Sequence, residues 1–61
     1  MKATHLALVT FNDSTHSAIF NIAIEDGGVF VWSEITEEFI PFKIESNYQT
    51  VSIVKSGDNN D

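Results

Sequence analysis

AIFNIAIEDGGVFVW, residues 18–32, carries the clearest strand and turn pattern of the chain. Before its Asp26-Gly27 pair, apolar side chains recur at every second position, Ala18, Phe20, Ile22 and Ile24; after it they resume at Val29 and Val31. A period of two is that of a strand with one face in a core. Asp-Gly is among the strongest two-residue hairpin signals, because both central residues tolerate positive φ. The stretch therefore predicts a hairpin with Ile24 opposite Val29 and Ile22 opposite Val31.

Working outward, the other turn signals fall at Asn12 to Thr15, Thr36 to Glu38, and Ser46 with Asn47, separated by runs rich in Val, Ile, Phe and Thr. Runs spaced about 8 to 12 residues apart indicate a small all-β domain rather than βαβ units. A two-residue loop at Asp13 and Ser14 sets Phe11 against His16, Val9 against Ala18, Ala7 against Phe20 and His5 against Ile22. An even-length loop around Glu37 and Glu38 sets Ile35 against Ile40 and brings Val31 near Ile44. A turn at Ser46 and Asn47 sets Phe42 against Val51 and Ile40 against Ile53. Since a slip of one residue would move every side chain to the other face, agreement among four turns is a strong internal check. The expectation is a five-stranded antiparallel meander, open or curled into a small barrel. A rival reading, α+β, places a short helical turn at about 33–39, because Trp32, Ile35 and Phe39 also fall at helical spacing and Glu34, Glu37 and Glu38 favour helices. Pro41 implies an edge or bulged position for its strand.

The predicted core face carries Val9, Ala18, Phe20, Ile22, Ile24, Val29, Val31, Ile35, Ile40, Phe42, Ile44, Val51 and Ile53. The reverse face is the unexpected one. Instead of being polar, as an exposed sheet face usually is, it carries Leu6, Leu8, Ile19, Ala23, Phe30, Trp32, Phe39, Tyr48 and Val54. Left in water, these would form a larger apolar patch than small monomeric proteins usually expose. Residues 1–55 read as one β domain and 56–61 as a disordered acidic tail.

Composition sets the bounds. The chain has 61 residues, no cysteine and a formal net charge of −6. A chain this short buries only about 60% of its unfolded surface, so it usually needs a disulfide, a metal or a partner. Without Cys there is no disulfide and no thiolate metal site. The two histidines stand roughly 20 Å apart along the first hairpin at about 3.3 Å per residue, too far to share an ion. A partner or self-association remains. At 43% hydrophobic the chain is well able to collapse. No apolar run approaches the roughly 20 residues of a spanning helix. Ala3 to Val9 is interrupted by Thr4 and His5 and reads as a strand rather than a signal core, so the expected location is cytoplasmic.

No residue pattern in the chain meets the requirements of a catalytic, metal or phosphate site. Ser14, Thr15, His16 and Ser17 offer hydroxyls beside an imidazole, but neighbours in an extended chain point to opposite faces. The acids Glu25, Asp26, Glu34, Glu37 and Glu38 lack the alternating pattern and glycine of a calcium loop. Gly27 and Gly28 are not followed by the Lys and Ser or Thr of a phosphate cradle. Three Lys and no Arg make direct nucleic-acid binding unfavourable. No catalytic, cofactor-binding or metal-binding residue is expected, and no membrane partner.

These exclusions point to a small acidic, non-enzymatic protein-binding module, an inhibitor or modulator that docks on a basic surface of another protein. The expected contact residues are Leu8, Ile19, Phe30, Trp32 and Tyr48, bordered by Glu34, Glu37 and Glu38, with aromatics as anchors. In size and charge the chain resembles free-standing accessory proteins of phages and mobile elements, although no motif points to a particular family. The alternative is a self-assembling homo-oligomer, a dimer in the simplest case, serving as a structural or accessory subunit.

Overall fold

A computed structural model describes residues 2–56. It is all-β: β1 (His5–Phe11), β2 (Ser17–Glu25), β3 (Gly28–Ser33), β4 (Glu38–Pro41) and β5 (Tyr48–Lys55) form a single antiparallel sheet in the order β4-β3-β2-β1-β5. The first four strands are a meander, and β5 crosses to the far side of β1. There is no helix among the described residues, hence none long and apolar enough to cross a membrane. Residues 33–39 form the end of β3, a four-residue turn and the start of β4. Of the expected tail, residues 57–61 lie outside the described residues; Ser56 extends the sheet, its N–H donating to the Thr4 carbonyl at 3.1 Å.

The central hairpin follows the sequence reading. Ile22 faces Val31, Ile24 faces Val29, and Glu25 and Gly28 close a two-residue turn in which Asp26 (φ 52°) and Gly27 (φ 78°) both take positive φ. That backbone twist matches the right-handed twist of the flanking strands. The β1–β2 register is also the expected one, His5 to Ile22 through Val9 to Ala18. Its loop is longer than expected: Asn12 to Thr15 turn, and the Phe11 N–H donates to the His16 carbonyl at 3.1 Å. The turn is held by Asp13, whose Oδ1 accepts from the N–H groups of Thr15 (2.9 Å) and His16 (3.1 Å), so a side chain supplies what a tighter backbone turn would otherwise provide.

Two expected pairings are corrected. Val31 faces Ile40 and Trp32 faces Phe39, so the β3–β4 turn is Glu34 to Glu37. This shifts the expected register by four residues, an even number, which preserves the faces but removes two residues from the core. Ile35 sits in the turn, 94% exposed, and Ile44 lies exposed beyond β4. The turn closes earlier because Glu37 adopts φ 56° and its N–H donates to the Ser33 carbonyl at 2.8 Å.

The second correction is that β5 pairs with β1, His5 to Lys55 through Val9 to Val51, and not with β4. Backbone donors explain the choice. The Phe42 N–H donates to the Val29 carbonyl at 3.0 Å, so even-numbered positions of this segment turn their backbone groups toward β3 and odd ones outward. Pro41 thus has its missing N–H on the outer edge, where a further strand would lose a bond. The edge of β1 has no such defect, and pairing there makes β1 an interior strand.

The sheet is strongly coiled. Its shortest dimension is 22 Å, about twice the roughly 10 Å of one sheet layer, yet it does not close into a barrel. The concave face holds the core, with Ala7, Val9 and Ile22 fully buried. The segment between β4 and β5 bridges the open side of the curl, and Phe20, Phe42, Tyr48 and Phe11 form a chain of ring contacts with successive centroids 6.4, 6.5 and 5.6 Å apart.

Candidate functional site

The convex face has no second layer over it among the described residues. Parity along the paired strands puts Leu6 and Leu8 of β1, Ile19, Asn21 and Ala23 of β2, Phe30 and Trp32 of β3, Phe39 of β4, and Ser52 and Val54 of β5 on it. Adjacent registers order them into rows. Ser52, Leu8 and Ile19 lie across β5, β1 and β2, and beside them run Val54, Leu6 and Asn21, level with the Trp32–Phe39 pair.

Only the small Ala23 is buried on this side, directly opposite Phe30. The larger residues are half-buried or exposed: Ile19 is 66% exposed, Leu8 and Val54 are exposed, and Trp32, Phe30 and Phe39 are half-buried. Trp32 and Phe39 meet edge to face, centroids 5.2 Å apart, an arrangement that favours the ring quadrupoles. Phe30 leans back over Gly28, where an added Cβ would stand 3.0 Å from its Cε1. Gly28 therefore provides the space in which that ring lies.

Of the expected contact residues, the structure brings Leu8, Ile19, Phe30 and Trp32 onto this one face. It removes Tyr48. The β1–β5 ladder shifts register between Thr10 and Phe11, so that Thr10 faces Thr50 but Phe11 faces Tyr48, leaving Gln49 as an extra residue. A bulge of this kind changes side-chain parity at one point. Tyr48 is thereby swung to the concave side, against Phe11 and Phe42. Counting by twos does not reveal such a bulge, because nothing in Tyr48-Gln49-Thr50 marks it.

Charge is distributed unevenly. Within the strands the convex face carries one carboxylate, Glu25, and no cation. Glu25 and Asp26 lie at the β2–β3 turn; Glu34 and Glu37 lie in the β3–β4 turn at the opposite end of β3, and Glu38 opens β4 paired with Ser33. Of the lysines, Lys43 lines the concave groove with Phe20, Phe42 and Tyr48, and Lys55 ends β5.

The other candidate groups stay apart. His5 and His16 sit at opposite ends of the β1–β2 hairpin. The His16 imidazole is occupied by Asp13, Nδ1 to Oδ2 2.6 Å. The Thr15 and His16 N–H groups and the imidazole hold the Asp13 carboxyl below the usual carboxylate range, the Thr15 N–H contributing most. No three His, Asp or Glu side chains converge to hold a metal ion among the described residues. Comparisons with protein families, with curated proteins and with solved structures return no match to this chain.

Proposed function

We propose that this protein is a non-enzymatic binding module that docks its convex sheet face on an apolar patch bordered by Lys and Arg on another protein, as an inhibitor or modulator of it. The observation that supports this reading most directly is the uncovered row Leu8 and Ile19 beside Trp32 and Phe39 on a face without a single cation. Burying apolar side chains of this size contributes roughly 25 cal/mol per Å² removed from water, and the rings supply rigid anchors at small entropic cost. The acids at both ends of β3 add steering toward a positive surface. The same acids oppose a homotypic contact through this face, since they would be brought toward those of the second copy.

The test begins with the full chain as bait in cells that express it naturally, and continues with titration of the captured protein in purified form. Ile19→Lys leaves an exposed site exposed and should weaken binding at least tenfold; Trp32→Ala should do the same. Affinity should fall as ionic strength rises through about 0.1 M, where the screening length is about 10 Å. Equal binding by both variants, or a complex indifferent to salt, overturns the reading.

A further inference from the structure

We infer that the outer edge of β5 is a second, separate interface, which pairs antiparallel with β5 of another copy of this chain and joins the two sheets into one. It rests on the backbone edge of β5 and not on Leu8, Ile19, Trp32 and Phe39 of the docking face, and stands or falls without it. The two sheet edges are built differently. On β4 the edge is four residues long, begins with Glu38 and carries Pro41 with its missing N–H outward, all devices that blunt an edge against pairing. On β5 it is eight residues, YQTVSIVK, with no proline, no charge before Lys55, and β-branched residues at Thr50, Val51, Ile53 and Val54. No described strand or loop pairs with it.

The free backbone groups can be assigned. Because the Ser56 N–H donates to Thr4 across from it, even-numbered residues of β5 direct their N–H and C=O groups toward β1. Those of Val51, Ile53 and Lys55 then point outward. A two-fold axis at Ser52 places Val51 opposite Ile53 of the second copy, and both belong to the outward set, so each pair exchanges two hydrogen bonds. The same register sets Ser52 opposite Ser52 and Lys55 opposite Gln49. Side chains match as well, with Val51 and Ile53 meeting on the concave side and Thr50 meeting Val54 on the convex side.

Charge favours the second copy as occupant. The acids Glu25, Asp26, Glu34, Glu37 and Glu38 lie on β2, β3, β4 and their turns, across the sheet from this edge. Lys55 of each copy would approach the end of the other β5 where the Glu45 carbonyl accepts the Tyr48 N–H and the Asp13 turn is tied to Gln49 through Ser14, Oγ to Oε1 3.0 Å. Each cation thus meets an acid-bearing end, twice by symmetry.

Sedimentation equilibrium of the full chain should give twice 6.8 kDa. Ile53→Pro removes an outward donor that the β1 ladder does not use, and should raise the dimer dissociation constant at least tenfold. Ser52→Glu and Ser52→Lys place like charges across the axis. Each alone should be monomeric, and an equimolar mixture should restore the dimer, which a merely misfolded variant would not do. Ser52 and its copy form a non-hydrogen-bonded pair with Cα atoms about 4.5 Å apart, within disulfide reach. Ser52→Cys should therefore oxidise to a disulfide dimer, while Thr50→Cys should not. A chain that stays monomeric at millimolar concentration, or a dimer that survives both Ser52 variants, overturns the inference. A dimer lost instead with Ile19→Lys would assign self-association to the convex face, and would overturn both this inference and the docking reading.

Discussion

Ile22 and Ile35 are the same residue type, and a count by twos carried through the turns puts both on the core face. The structure leaves Ile22 with 0% exposure on the middle strand and Ile35 with 94% in the β3–β4 turn. Truncation to alanine should separate them. Removing buried methylene and methyl groups costs about 2–5 kcal/mol when the surroundings cannot collapse into the space. Ile22 is flanked on its face by His5 and Val31 from the neighbouring strands, which are fixed by their own ladders, so little collapse is available. A chain of this length is stable by only about 3–9 kcal/mol, so Ile22→Ala should lose a large share of its stability. Ile22→Val, at about 0.5–1.5 kcal/mol, keeps a measurable transition and should lower Tm by about 2–12 °C at about 4–8 °C per kcal/mol. Ile35→Ala should stay within about 0.5 kcal/mol of the parent. Urea and thermal unfolding, followed by far-UV circular dichroism and Trp32 fluorescence at one protein concentration, report both values. If Ile35→Ala costs more than Ile22→Val, the four-residue shift of the β3–β4 register is refuted.

Glu37 holds a left-handed conformation at φ 56°, which costs a side-chain-bearing residue about 1–2 kcal/mol; Glu37→Gly should raise stability by about 1 kcal/mol in the same urea experiment, and a loss would mean that the carboxylate is needed in the turn. Asp13 has its folded pKa lowered by the Thr15 and His16 N–H groups and the His16 ring, so its contribution to stability is full above the ordinary value of 3.8 and is lost as pH falls through the lower folded one. The stability gap between the parent and Asp13→Asn should hold steady near neutrality and narrow below about pH 4, whereas a gap that widens with acid contradicts the sign. Deleting Gln49 should remove the bulge and leave Tyr48 opposite Phe11 on the concave side, seen as persistence of the nuclear Overhauser contacts between Tyr48 and Phe11; their loss would show that Gln49 is not the residue left over in the β1–β5 ladder.

Local chemistry determined much of this protein by itself. A period of two in residues 18–32, the Asp26-Gly27 pair and the Asp13 turn fix the strands and registers of β1, β2 and β3, because a hairpin's register follows from its turn and from which side chains avoid water. The convex placement of Leu8, Ile19, Phe30 and Trp32 follows from the same parity. Pro41 marks its strand as an edge, and the outward direction of its nitrogen explains why. The tertiary structure decided what no local turn encodes. β5 leaves its sequence neighbour for β1, since a distant edge with intact donors binds a strand better than an adjacent one lacking an N–H. Tyr48 changes sides at an unmarked bulge, because the β1–β5 ladder and the aromatic chain with Phe11, Phe42 and Phe20 are satisfied together only if Gln49 is left over. Ile35 and Ile44 stand in water because a turn's position is set by where Trp32 meets Phe39 and Val31 meets Ile40, and that contact outweighs the burial of two isoleucines further along the chain.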